Sequence, residues 1–477
     1  MPVIVGSLVP MVTLPILTRI LSAEQYGAWA LATVYAVFAT GIGNLGLTIG
    51  YERNFFQHTD PGERAALLYS VLAFVGATLI TIGAATWLFR APLAHWIVGS
   101  PNAGGLLFCA YCAQAVVSFK AYYLIYFRNC EHAKAYAWFN IDETILSGLF
   151  SVFLVAYLRT GPIGLVLGNV LASSLVLAAV IRRVARASKP AFSRALLGDA
   201  LVISLPLTPR VFLGVVGSNF DKYMIGLLAT VGGVGVYTIG QRLSYVAFQY
   251  MTAIENVFTP NVYEQMFARG KEGAEAIGRY LTPFAYASVA VSILIALFSE
   301  ELLVVLTPST YHGAIPVVNL LVISYGIMFF AKMPQLSYAR KTFVTSLLTL
   351  LSLGLNVAFN IVLIRRWGAI GAACGTASSG LVAGAIGLVV RQHYYPIRWE
   401  YRKLAVMFGV FIAGALAAEA LRSAGVSYSI RLVVKSGLVG AFVWLGVHLR
   451  YLSWENVALV RNIGRRRFGS EPAEASV

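Results

Sequence analysis

The chain has 477 residues, 58% of them apolar and only 12% charged, with a formal net charge of +16 and a mean hydropathy of +0.74. A soluble domain carries about 25% charged and about 45–50% apolar residues, so this is a membrane composition. Connections between apolar runs are mostly about 5–20 residues, which excludes an extramembrane domain and the enzymes that need an acidic catalytic loop outside the bilayer.

Apolar runs near 20 residues recur along the chain, and each spans the roughly 30 Å hydrocarbon core as a helix. About fourteen are expected, near 1–21, 28–51, 65–89, 103–127, 137–157, 163–181, 199–220, 234–257, 280–298, 313–331, 342–364, 369–390, 404–421 and 431–449. The expected fold class is an all-α integral membrane protein of about 14 transmembrane helices: two pseudo-symmetric six-helix bundles plus two C-terminal helices. The expected divisions are an N-terminal lobe at 1–190, a C-terminal lobe at 191–395, two accessory helices within 396–452 and a basic cytoplasmic tail at 453–477.

The first run is too long for a signal-peptide core and lacks a basic leader, so no cleavable signal is expected. Ser22-Ala23-Glu24-Gln25 is a capping box that turns this run tightly into the second. Gly41-Ile42-Gly43-Asn44-Leu45-Gly46 satisfies the dinucleotide pattern GxGxxG, but no strand precedes it; close helix packing or a flexible, cavity-lining helix is the better reading. Cys109 and Cys112 sit in the fourth run, where cysteine is usually a small apolar filler. The six histidines show no ligand spacing, so neither metal nor cofactor is expected. Prolines 10, 15, 206 and 209 allow the first and seventh helices to bend.

Gly161-Pro162-Ile163-Gly164 with Gly168 has the same spacing as Gly368-Ala369-Ile370-Gly371 with Gly375, an offset of about 207. Arg19 before Tyr26-Gly27 resembles Lys222 before Gly235-Val236-Tyr237 near the same offset. Such repetition fits two lobes about an axis along the membrane normal, with a path between them.

Cations fall in connections of alternating sides. With the first helix running outward, about 24 Lys and Arg collect on one face and about 7 on the other, which places both termini in the cytoplasm. The basic balance is therefore topological, and no nucleic-acid partner is expected.

Arg19, Lys120, Arg210, Lys222 and Arg242 lie inside apolar segments. A charge at the centre of a lipid-facing helix costs roughly 2.5–3.5 kcal/mol, so five would cost on the order of 12–18 kcal/mol in lipid. They are expected to face a wet interior, suited to anionic cargo. The acids Asp142, Glu143, Asp221 and Glu255 leave three readings open: internal ion pairs, coupling sites for a proton or cation, or interfacial pairs. Glu419, in an accessory helix, reads as structural. Tyr122, Tyr123, Tyr126, Tyr245 and Tyr250 can stack on sugar or anchor the interface.

Thr18-Arg19-Ile20-Leu21-Ser22-Ala23-Glu24-Gln25-Tyr26-Gly27 resembles the R-L-x-P-x-x-Y-G turn of Wzx-type polysaccharide flippases, in the multidrug/oligosaccharidyl-lipid/polysaccharide exporter superfamily. Ser218-Asn219-Phe220-Asp221-Lys222-Tyr223-Met224-Ile225-Gly226, followed by Gly233 to Tyr237, is similar to that family's D-R/K-x-x-I-G … V-G-x-Y stretch. Gly368-Ala369-Ile370-Gly371-Ala372-Ala373 resembles its G-x-x-G-A-A helix start. One departure is that Met1 already begins the first helix, where the family usually has a preceding stretch.

The resemblance implies export of a polyprenyl-diphosphate-linked oligosaccharide across the bacterial cytoplasmic membrane for surface polysaccharide assembly. It implies alternating access through a cation-lined cavity, without covalent catalysis. Position by position it carries over to Arg19, Arg53, Lys222 and Arg242, and the expected substrate-binding set adds Lys120 and Arg210. Expected partners are membrane lipids and a polysaccharide polymerase with its export machinery. A membrane-embedded glycosyltransferase or polymerase, or an exporter of a different lipid-linked or small-molecule substrate, remains the alternative.

Overall fold

The computed structural model describes residues 2–451, so the tail expected at 453–477 lies outside the described residues. The described residues are helical with short connections and contain no strand. In hydrocarbon every backbone N–H and C=O must be bonded inside the protein, and a helix does this within one segment.

The first eight helices are α1 (Pro2–Ile20), α2 (Ala23–Asn44), α3 (Leu47–Gln57), α4 (Pro61–Leu88), α5 (Arg90–Val98), α6 (Gly104–Asn129), α7 (Ala133–Val152) and α8 (Pro162–Ala187). They are followed by α9 (Arg194–Leu228), α10 (Val231–Arg269), α11 (Ala274–Leu297), α12 (Ser299–Leu306), α13 (Ile315–Ile327), α14 (Gln335–Tyr338), α15 (Thr342–Tyr394), α16 (Tyr401–Ser423) and α17 (Tyr428–His448). Among the described residues, 11 helical stretches are long and apolar enough to cross a membrane. One of them, Phe343–Tyr394, is broken at Gly368 (φ 55, ψ −127) and contains two of the expected runs. The first expected run is a shorter apolar stretch, Leu8–Ile20. The eighth lies in the 39-residue α10, which carries Arg242 and Glu255 within its length.

The run expected at 28–51 is two helices. Leu45 (φ 45) and Gly46 (φ 65) adopt left-handed conformations between α2 and α3. Thr208 Oγ1 on α9 donates to the freed Leu45 carbonyl at 2.7 Å. Gly50 then packs directly on α9, where a Cβ would collide with the Ala200 carbonyl. The glycine-rich stretch is thus a break and a close helix contact, with no strand beside it.

By their internal contacts the residues form two compact units. The first comprises Met1–Ile239, Leu303–Ala314 and Asn360–Ala372. One of its cores joins Tyr51 and Phe55 of α3, Leu67, Val71 and Val75 of α4, Tyr122 and Phe127 of α6, and Val176 and Val180 of α8. Tyr122 is fully buried there, 5.8 Å from Tyr51 between ring centres, and donates to Asn44 Oδ1 at 3.0 Å. Cys109 packs beside a second core of Ala32, Ala36, Leu106 and Ala110. The capping box forms: Ser22 Oγ accepts from the Gln25 amide at 3.2 Å, and Gln25 Oε1 from the Ser22 amide at 3.1 Å. Tyr311 Oη donates to the Leu21 carbonyl at 2.8 Å, tying the segment Leu303–Ala314 to the end of α1.

The second unit comprises Gly240–Leu302, Ile315–Phe359 and the chain from Ala373. Here α11 is the central helix, with Leu281, Ala285, Val289, Ile293 and Ala296 buried. Tyr286 stacks between Phe442 and Tyr451, ring centres 4.8 Å and 5.2 Å away, which seats α17 on α11.

Candidate functional site

Within the first unit, α6, α7 and α8 bring together one expected cation and one expected acid. Lys120 is 1% exposed and its ammonium forms an ion pair with Glu143 Oε1. The same oxygen accepts from Ser173 Oγ on α8 at 2.6 Å. An unpaired ammonium in this surrounding would cost several kcal/mol, so the carboxylate and hydroxyl are what make its burial tolerable. Asp142, next in the chain, is exposed.

A second cluster forms around Asp221 on α9. Its carboxylate is 8% exposed and accepts from Tyr237 Oη on α10 and from Asn360 Nδ2 on α15, both at 2.7 Å. Two neutral donors from different helices thus converge on one acid. Lys222, the next residue, is half-buried.

The remaining expected cations of this unit are more open. Arg19 is exposed in the last turn of α1, and Arg210 is exposed in α9 just after Pro209. Arg53 is exposed, and its Nη1 donates to Gln57 Oε1 at 2.7 Å and Asn54 Oδ1 at 3.0 Å.

In the second unit, Arg242 is half-buried on α10. Glu255, thirteen residues further along that helix, pairs with Lys332 at 2.9 Å, and the Lys332 ammonium lies 5.3 Å from the centre of the Phe248 ring. Tyr245 stacks on Phe248 at 5.1 Å and remains 44% exposed.

One ionic cluster escaped the sequence reading. Lys435, 2% exposed on α17, lies 2.7 Å from Glu301 Oε1 and 3.0 Å from Glu300 Oε2, while Arg431 reaches Glu300 at 2.6 Å. The signal was present: Lys435 interrupts the last apolar run, and the cost of intramembrane charge applies to it as to the other five. Burial pushes the Glu300 carboxyl up, but hydrogen bonds from Lys435 and Arg431 outweigh this and hold its pKa below the ordinary 4.5. Nearby, Glu419 pairs with Arg422 and accepts from Asn319 at 3.3 Å, so it fastens α16 to α13.

These clusters offer ion pairs and hydrogen bonds to carboxylates. No nucleophile with an attendant base stands among the residues described above. A model of the family described as polysaccharide biosynthesis protein matches residues 16–316, a range holding the stretches Thr18–Gly27 and Ser218–Tyr237. The succinoglycan biosynthesis transport protein ExoT of Rhizobium meliloti (strain 1021) is 27% identical over 329 residues, 66% of this chain and 63% of that protein. The match therefore spans less than two thirds of that relative's length. The lipid II flippase MurJ in an inward closed conformation aligns with a TM-score of 0.71 at 12% identity, covering 94% of this chain and 98% of that one. An inward-facing multidrug resistance MATE family transporter of the MOP superfamily aligns with a TM-score of 0.59 at 16% identity, over 81% and 94%. At these identities the structures share the fold. Because the family model covers more than half of its length, this multi-pass membrane chain belongs to the polysaccharide biosynthesis protein family.

Proposed function

We propose that this protein flips a polyprenyl-diphosphate-linked oligosaccharide across the bacterial cytoplasmic membrane during surface or exopolysaccharide synthesis. The observation that carries this reading is a polysaccharide biosynthesis family match across residues 16–316 on a fold shared with membrane transporters. A diphosphate cannot cross hydrocarbon bare, and guanidinium groups match its oxygens with paired donors. Arg19, Arg53, Arg210, Lys222 and Arg242 are the proposed diphosphate-binding cations in a hydrated path between lobes at 1–190 and 191–395, which open to the two sides alternately. Lys120, already paired with Glu143, is assigned to that path through its carboxylate partner. Asp142, Glu143, Asp221 and Glu255 are the proposed coupling acids: Asp221 is buried and Glu143 and Glu255 are half-buried, the setting in which a carboxylate can take up a proton, while Asp142 stands exposed beside Glu143. Both termini are placed in the cytoplasm, where the protein works with a polymerase and export machinery and performs no covalent step.

The test is deletion of the gene in its host. The expected result is accumulation of lipid-linked oligosaccharide on the cytoplasmic leaflet and loss of surface polymer, both reversed by the intact chain. Normal polymer with no accumulated intermediate overturns the proposal.

A further inference from the structure

Arg391 stands in the last turn of α15, is 9% exposed, and makes no hydrogen bond or ion pair through its guanidinium with any described residue. It differs in this from Lys120 and Lys435, the other deeply buried cations, which have carboxylate partners. A charge enclosed to this degree is unfavourable unless something meets it, and the small exposure that remains is a route by which a counter-charge can reach the guanidinium.

The helix terminus does not supply it. Cations near a helix C-terminus gain by approaching the last carbonyls, yet this guanidinium runs back along α15. It lies over buried Gly387, where an added Cβ would sit 2.7 Å from Arg391 Nη1. The missing side chain at Gly387 is the notch that holds the fork, and the residual exposure of Arg391 is its opening. Five N–H donors in a plane suit an oxyanion, above all the oxygens of a phosphate. Arg391 lies three residues and Gly387 seven residues from the end of the apolar stretch Phe343–Tyr394, so the fork sits within roughly 10 Å of the helix end, on the side where such a stretch meets lipid headgroups.

We propose that Arg391, held in the Gly387 notch, binds the phosphate of a membrane lipid. Two lipids carry this chemistry: an anionic phospholipid and the polyprenyl diphosphate end of the cargo. Only the second rests on the function proposed above.

The experiment places the full chain in nanodiscs of phosphatidylcholine, alone or with phosphatidylglycerol or with polyprenyl diphosphate, and counts retained lipid by native mass spectrometry. The variants are Arg391→Gln, Arg391→Lys and Gly387→Ala, the last keeping the charge while a methyl evicts the guanidinium. Retention of one added lipid should fall about tenfold in Arg391→Gln and Gly387→Ala and less in Arg391→Lys. Loss confined to phosphatidylglycerol identifies a phospholipid site and stands even if gene deletion leaves polymer normal; loss confined to polyprenyl diphosphate identifies a cargo site. Equal retention of both lipids by the intact chain, Arg391→Gln and Gly387→Ala overturns the proposal.

Discussion

Gly27 and Gly235 meet backbone to backbone where α2 and α10 begin. A Cβ on Gly27 would lie 1.9 Å from the Val231 carbonyl oxygen, and one on Gly235 would lie 2.1 Å from that of Ala23. Tyr26 and Tyr237, beside them in sequence, are 1% and 0% exposed. The Tyr-Gly and Gly-x-Tyr stretches are therefore the two sides of one close contact. Gly27→Ala and Gly235→Ala should each destabilise by about 3 kcal/mol or more, the upper end for overpacking, because backbone cannot yield as a side chain can. Gly354→Ala, on α15 with open space around it, should leave stability unchanged or raise it by up to about 1 kcal/mol. Thermal unfolding in detergent separates the three, and equal midpoints for all would refute the contact.

Gly161 (φ 66, ψ −147) and Gly368 (φ 55, ψ −127) adopt matching positive-φ conformations, open essentially to glycine alone, where their apolar helices start. Neither site is crowded: nothing lies within 4 Å of an added Cβ at Gly161, and only Ala229 Cβ, at 3.9 Å, at Gly368. Alanine at either position should cost about 1–3 kcal/mol from backbone strain alone. Similar losses at the two sites, read from the same melts, are what a repeated hairpin requires.

The Glu300 carboxylate supplies a pH dependence with a defined sign. Its folded pKa is held below 4.5 by Lys435 and Arg431 despite burial, so its contribution is complete above about 4.5 and is lost as pH falls through the lower folded value. Glu300→Gln should show a shallower loss of thermal stability on acidification below that point than the unaltered chain. Lys435→Met should cost about 3–5 kcal/mol by leaving buried carboxylates short of a cation, and adding Glu301→Gln should restore part of it.

Glu143→Gln removes the carboxylate facing Lys120. The stranded ammonium should lower stability by about 3–5 kcal/mol, and Lys120→Met in the same chain should recover much of that. If the double variant regains stability and transport together, the pair is structural; regained stability without transport assigns Glu143 to coupling.

Arg19→Ala and Arg242→Ala should abolish surface polysaccharide while membrane insertion stays normal, and Arg242→Lys should retain part of the activity because it keeps charge but loses the fork. Polymer yield and membrane-fraction blots check both. Normal yield from both alanine variants removes these residues from the transport path.

Much of the helical plan was legible because its signal is local. A run of about 20 apolar residues has few backbone options in a membrane, and the capping box at Ser22 needs only neighbours three residues apart. The break at Leu45–Gly46 was not legible as a break: it depends on Thr208 and Ala200 arriving from α9. The functional clusters were legible as residue types only. Glu143 and Asp221 were visible as carboxylates, but their readings as ion pair or coupling acid hung on partners such as Lys120, Ser173, Tyr237 and Asn360.

Composition and periodicity by themselves determined that this chain is a many-helix membrane protein, since those properties sum over short segments that each meet the bilayer alone. Tertiary packing decided which charge meets which: Lys435 finds Glu300 and Glu301 across about 134 residues, and Arg391 finds no partner among the described residues. Ion pairing acts over a few ångströms in space, a distance on which separation along the chain has no bearing.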